Sequence, residues 1–275
     1  MPPGLTLLSV AVCVIYFRGW ARIRRTRPLY FTPSRLLCYL AGILVLWLAI
    51  ASPLDGFADV LLSAHMVQHL LLMSVVPPLV LLGAPVVPLL QGLPRWLVRR
   101  FVGPLITTRW IRSLGHFLAR PMVAWLAFNL TFLAWHVPAA YDYALKNEHV
   151  HDMEHICFLA TSLLFWWVLL RPWPSRTRLS IWILLPYLLS ADVVNTALSG
   201  FLAFCNRPVY EYYVTGPNPF HVEPVFDQVL GAVIMWVLGS IIFLVPAMLL
   251  TVQIMAPSRF RGLQPDRTVT RSVSA

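Results

Sequence analysis

The chain has 275 residues, of which 59% are hydrophobic and only 12% charged, and it carries a formal net charge of +10. Soluble domains carry about 25% charged residues, so this composition excludes an ordinary water-soluble fold. The positive charge is gathered in arginine clusters between long apolar runs, which reads as membrane topology and attraction to anionic lipid, not as a nucleic-acid surface.

The apolar runs have helical spanning length and lack the alternation of a transmembrane barrel. Seven spans are predicted, over residues 4–20, 36–53, 59–83, 121–138, 150–170, 180–202 and 227–250. The first carries Arg18 near its end and has no basic residue before it, so it reads as an anchor and not as a cleaved signal. Arg18, Arg22, Arg24, Arg25, Arg27 and Arg35 follow it. After span three, residues 93–117 mix arginines with Trp96, Phe101 and Trp110, the composition of an amphipathic segment lying at the membrane interface. Arg171, Arg176 and Arg178 follow span five, and Arg259, Arg261, Arg267 and Arg271 follow span seven. With seven spans these basic loops share one side, and only Lys146 and Arg207 fall on the other. The predicted fold is therefore an all-α polytopic membrane protein, a seven-transmembrane-helix bundle with its N-terminus outside and its C-terminus cytoplasmic. Residues 1–258 form one membrane domain, and the polar tail 259–275 is expected to be disordered. The acidic residues agree with this orientation: Asp55, Asp59, Asp142, Glu148, Asp152, Glu154, Glu211, Glu223 and Asp227 fall outside or at the outer boundary.

Histidine is distributed as unevenly as arginine. His65 and His69 in span three, and His151 and His155 in span five, are each spaced i, i+4, which puts both rings of a pair on one helix face. Counted from Asp59 and Val150, His65 lies about 9 Å into its span, His69 about 15 Å and His155 about 8 Å, with His151 at the outer rim. Intramembrane histidines are costly and mark function. The two pairs are therefore the primary metal-ligand candidates, with His136, Met66, Met153 and Asp192 as secondary ones. Imidazole suits copper, zinc and iron, and thioether selects reduced copper, so a mixed His/Met site favours reduced copper. Asp192, near the middle of span six, needs a partner or a proton, and His69 stands at comparable depth. Cys157 points to another face, and no disulfide follows from the spacing of the four cysteines. No GxSxG elbow, phosphate loop or HExxH is present, so no enzyme is expected. The only lysine, Lys146, lies in an outer loop, which disfavours a retinal Schiff base.

Four blocks, HMVQHLLLMSVVPPLVLLGAP, WHVPAAYDYAL, HDMEHICFLATSLLFWWVLL and DQVLGAVIMWVLGS, give the chain a family likeness. Across residues 35–250 it resembles the multi-span CtaG family of cytochrome c oxidase assembly factors, as distinct from the single-span copper chaperone that shares the name. The resemblance implies a seven-helix protein of the bacterial plasma membrane, needed to make active haem-copper oxidase by supplying copper to an oxidase subunit. It places His65, His69, His151, His155, His136 and Asp227 at family positions. Three other functions remain open at this stage: a copper transporter with Asp192 as a second station, a haem-binding membrane protein with bis-imidazole ligation, and a metal-free assembly scaffold.

Overall fold

Apolar runs of spanning length become helices throughout residues 3–173 and 179–255, the residues described by the computed structural model, and no strand occurs among them. In chain order the helices are α1 (Pro3–Arg24), α2 (Pro33–Ala51), α3 (Pro53–Ala58), α4 (Leu62–Leu82), α5 (Val86–Gly92), α6 (Arg109–Leu118), α7 (Pro121–Trp135), α8 (Pro138–Leu145), α9 (Glu148–Leu170), α10 (Ile181–Phe204), α11 (Tyr212–Thr215) and α12 (Pro224–Met255). Three short contiguous helical segments, the middle one π-helical, occupy residues 95–107 between α5 and α6. Proline opens α2, α3, α7, α8 and α12, where its fixed φ suits the first turn and its missing N–H is not needed.

Six helices, α1, α2, α4, α9, α10 and α12, are long and apolar enough to cross a membrane. The predicted fourth span differs. Its helix α7 has 15 residues, about 22 Å of length against a hydrocarbon core of about 30 Å. It reaches spanning length only together with α6, from which it is bent by 71° at Pro121. Helix α6 itself buries no residue and exposes Trp110 among its arginines. The expected disordered tail, and Arg176 and Arg178, lie outside the described residues.

The packing is inverted relative to a soluble protein. Val237, Ile241, Leu244 and Val245 of α12 are exposed, whereas Gln68, Asn129, Asn195 and Gln228 are buried between helices. Apolar exteriors and polar groups turned inward between helices suit a bilayer. Helix α4 stands at the centre and packs on α2, α9 and α12, while α10 lies along α12 and α7 along α9. Gly231 lets α12 approach α4 closely, since a Cβ there would lie 3.2 Å from Met66 and from the Ser63 backbone. At the periphery, α1 crosses α5 where Gly19 meets Pro88 and Gly92 meets Ile15, backbone against backbone. Tyr16 stacks on Tyr39 at 3.7 Å and donates to the Gly83 carbonyl at 2.6 Å, fixing α1 against α2.

Pro77 and Pro78 do not end α4. A π-helical turn over Leu71–Val75 precedes them, and the helix resumes at Val76. Neither proline has an N–H, so the Met73 carbonyl loses both its α and its π partner. The Trp166 indole of α9 donates to that carbonyl at 3.0 Å. The break therefore ties α4 to α9 just inward of His69.

Candidate metal centre

Helices α4 and α9 carry their histidines in matching register. His65 and His151 each stand three residues past the first residue of their helix, and His69 and His155 seven. His65 and His69 are therefore shallower than the count from Asp59 implies, because α3 and the turn after it hold residues 53–61 outside α4, and His151 and His155 are deeper than the count from Val150 implies, because α9 begins at Glu148; the two pairs are level. Ring centroids are 4.2 Å apart within each pair, and 5.2 Å (His65–His151) and 5.6 Å (His69–His155) across the helices. One ring nitrogen from each of the four lies within 4.8 Å of the others. His65 and His69 are fully buried, and His151 and His155 partly so.

The start of α4 is held from a distance. Leu61 offers no side-chain cap, and the buried Asp227 of α12 accepts hydrogen bonds from the Leu62 and Ser63 amides at 2.6 and 3.2 Å. A carboxylate at this helix start also opposes the helix dipole favourably. Gln228 beside it binds the Leu202 carbonyl and the Val209 amide, fixing the loop after α10. That loop is secured again by Asp142 of α8, which accepts from the Glu211 and Tyr212 amides. Tyr213 is thereby delivered to His65.

The hydrogen bonds fix a tautomer. Tyr213 Oη lies 2.8 Å from the Ala58 carbonyl and 2.9 Å from His65 Nδ1. A carbonyl only accepts, so Tyr213 donates to it and receives the His65 Nδ1–H. Burial pushes the Tyr213 hydroxyl well above the ordinary tyrosine range, which keeps that proton in place. His65 Nε2 then bears a lone pair and faces His69 Nε2 at 2.7 Å. Two imidazole nitrogens at this distance need one proton or one cation between them.

Glu154 completes the cluster and was not singled out as a ligand by the sequence reading, which used it only as one of the carboxylates outside or at the outer boundary. It is 1% exposed, and its Oε1 lies 3.6 Å from His69 Nε2. Its position was legible: residues 151, 154 and 155 share one face of a helix. Tyr213 left no such signal, being 148 residues from His65. Of the secondary candidates, His136 caps α7 and its ring centroid is 6.3 Å from that of His69. Its Nδ1 donates to the Phe132 carbonyl at 2.7 Å, leaving Nε2 free. Met66 is buried and borders a cavity with His69 and His136. Met153 is 53% exposed, turned away from the cluster. Asp192 stands within ion-pair distance of no histidine among the described residues; the carboxylate that approaches His69 is Glu154.

Buried side-chain atoms without a hydrogen-bond partner concentrate here: His69 Nδ1, His136 Nε2, His151 Nε2, His155 Nε2 and both Glu154 oxygens. Buried polar atoms are normally paired, and each orphan costs about 1–3 kcal/mol. Unpaired imidazole nitrogens and carboxylate oxygens gathered in one place are the atom types that can donate to a cation. On the outer side, Asp55, Asp59 and Asp152 act electrostatically on His151. Burial and the adjacent Asp55 hold the Asp59 carboxyl above the usual carboxylate range, with His151 pulling the other way.

Comparison with known proteins adds to this geometry. A family described as cytochrome c oxidase caa3 assembly factor (Caa3_CtaG) matches residues 14–256. Among curated proteins, the chain is similar to uncharacterized proteins of Mycobacterium bovis and Mycobacterium tuberculosis, each 24% identical over 246 residues, covering 85% of this chain and 36% of the relative. A Mycobacterium leprae protein is 24% identical over 239 residues, covering 83% and 35%. The chain thus spans just over a third of the length of these relatives. No solved structure matches it.

Proposed function

The chain belongs to the cytochrome c oxidase caa3 assembly factor family, and from that premise we propose that it takes a copper ion at the buried His65, His69, His151 and His155 cluster and passes it to an oxidase subunit. The convergence of four ring nitrogens from two spans within 4.8 Å carries this reading. Imidazole is a good ligand for copper, and the orphaned nitrogens and the Glu154 carboxylate give a cation the donors it needs. Copper is cargo here, and the chain is assigned no catalytic step.

The arginine distribution supports an N-terminus outside the bacterial plasma membrane and a cytoplasmic C-terminus. The cluster then opens toward the outer face, where Asp55, Asp59 and Asp152 attract an arriving cation. A haem fits less well than an ion. The rings stand too close together to admit a macrocycle, and the neighbouring cavity measures about 30 Å³.

The test is metal analysis of the detergent-purified full chain after copper loading and desalting. The wild type is expected to keep about one ion per chain at this site, and the His65→Ala/His69→Ala variant to lose it. Equal copper retention by variant and wild type overturns the assignment.

A further inference from the structure

Inward of the histidine cluster, α4, α7, α10 and α12 enclose a second feature. It is a cavity of about 30 Å³ near the middle of these spans. One water needs roughly 10–15 Å³ of such space, so a small occupant fits. The polar and sulfur groups on its wall are unusual for a membrane interior. Met66, Met73 and Met235 bring thioethers from two helices, and each methionine is at most 5% exposed. His136 borders the same space, is 4% exposed, and has a buried Nε2 with no partner. The buried Asn129 carbonyl oxygen on this wall is also unpartnered. No carboxylate borders the cavity among the described residues.

These donors have a common character. The His136 tautomer is fixed by its Nδ1–H bond to Phe132, so Nε2 presents a lone pair and not a proton. Asn129 offers an acceptor, and its amide N–H is already engaged with the Trp125 carbonyl at 2.9 Å. A water could donate to two such atoms but gains little from sulfur. Thioether and imidazole ligands without anionic charge select soft monovalent cations over divalent ones. We propose that this cavity is a second cation site, distinct from the histidine cluster, that holds a soft monovalent ion of the cuprous class through His136 Nε2 and the sulfurs of Met66, Met73 and Met235. His69 forms part of its wall and also faces the cluster, so the two sites adjoin. The inference goes beyond the copper-delivery reading and does not need it.

Silver(I) is the probe, because it matches cuprous ion in softness and does not change oxidation state. Full-length protein in detergent, its free Cys13, Cys38, Cys157 and Cys205 replaced by alanine so that no thiolate competes and loaded with silver(I), is expected to show silver–sulfur scattering in X-ray absorption. Replacing Met66, Met73 and Met235 with leucine should remove that signal and weaken silver binding at least tenfold. Leucine for methionine conserves volume and costs little stability. A selenomethionine-labelled chain of unaltered sequence removes the dependence on variant folding, since silver–selenium scattering must then appear. The His151→Ala/His155→Ala chain should keep the sulfur signal, which separates this site from the cluster above. Absence of silver–sulfur scattering in the cysteine-free chain and of silver–selenium scattering in the labelled chain overturns the proposal. So does undiminished silver affinity in a folded triple-leucine variant.

Discussion

At the scale of single residues, the proposed centre would depend on a group that touches no ion directly. Tyr213 holds the Nδ1–H of His65 and so aims its Nε2 at the cluster. Partners of this kind set ligand orientation and basicity, and losing one typically costs 10–100-fold in metal affinity. Tyr213→Phe should therefore weaken copper binding by about that factor while the chain still folds, as read by competition titration against a chelator. Unchanged affinity would mean that the hydrogen bond does not position His65. Glu154→Gln keeps the shape and removes a carboxylate ligand beside His69; a comparable loss of affinity is expected in the same titration. The four principal histidines were legible because i, i+4 spacing survives any helix assignment. Glu154 was passed over as a ligand because a carboxylate near a helix start usually faces water. Met153 was over-read because its position between His151 and His155 in sequence puts it on the far side of the helix. Tyr213 could not be found, since only the folded loop after α10 brings it to α4.

Elements were read well where hydrophobic length decides and less well where prolines do. The six long spans follow from apolar runs. The shortness of α7 follows from Pro121 and Pro138, which bound a stretch that hydropathy alone extends to residue 138. The π turn of α4 inside the predicted span 59–83 was not legible, because the sequence does not reveal that Trp166 takes up the freed Met73 carbonyl. Trp166→Phe removes that donor and leaves a buried carbonyl unpaired, a cost of about 1–3 kcal/mol. It should lower the melting temperature in detergent; an unchanged melt would show that the carbonyl finds another partner. Gly19 gives a sharper test of the α1–α5 crossing. A Cβ there would lie 1.7 Å from the Pro88 carbonyl oxygen, a backbone atom that cannot turn aside. Gly19→Ala is expected to destabilise the chain by roughly 1–3 kcal/mol through overpacking while leaving copper binding intact, because this crossing lies away from the histidine cluster.

For the whole molecule, orientation is the property that gives the cluster its meaning. Under the proposed delivery role a site opening outward would serve an oxidase subunit on the outer face, and one opening inward would not. Lys146 is the only lysine, is exposed, and lies between α8 and α9. In intact cells it should react with a membrane-impermeant amine reagent, and Lys146→Arg should abolish the labelled peptide. Labelling only after the membrane is permeabilised would reverse the topology. The chain spans just over a third of its curated relatives, so any action of the rest of those longer proteins stands apart from what this membrane unit does. The central claim is that imidazoles from α4 and α9 share one ion, and X-ray absorption on chain loaded with one equivalent of copper tests it most directly. The expected spectrum shows multiple scattering from the imidazoles of both pairs, reduced to those of His65 and His69 in the His151→Ala/His155→Ala variant. An identical copper spectrum in the two proteins would contradict the shared site.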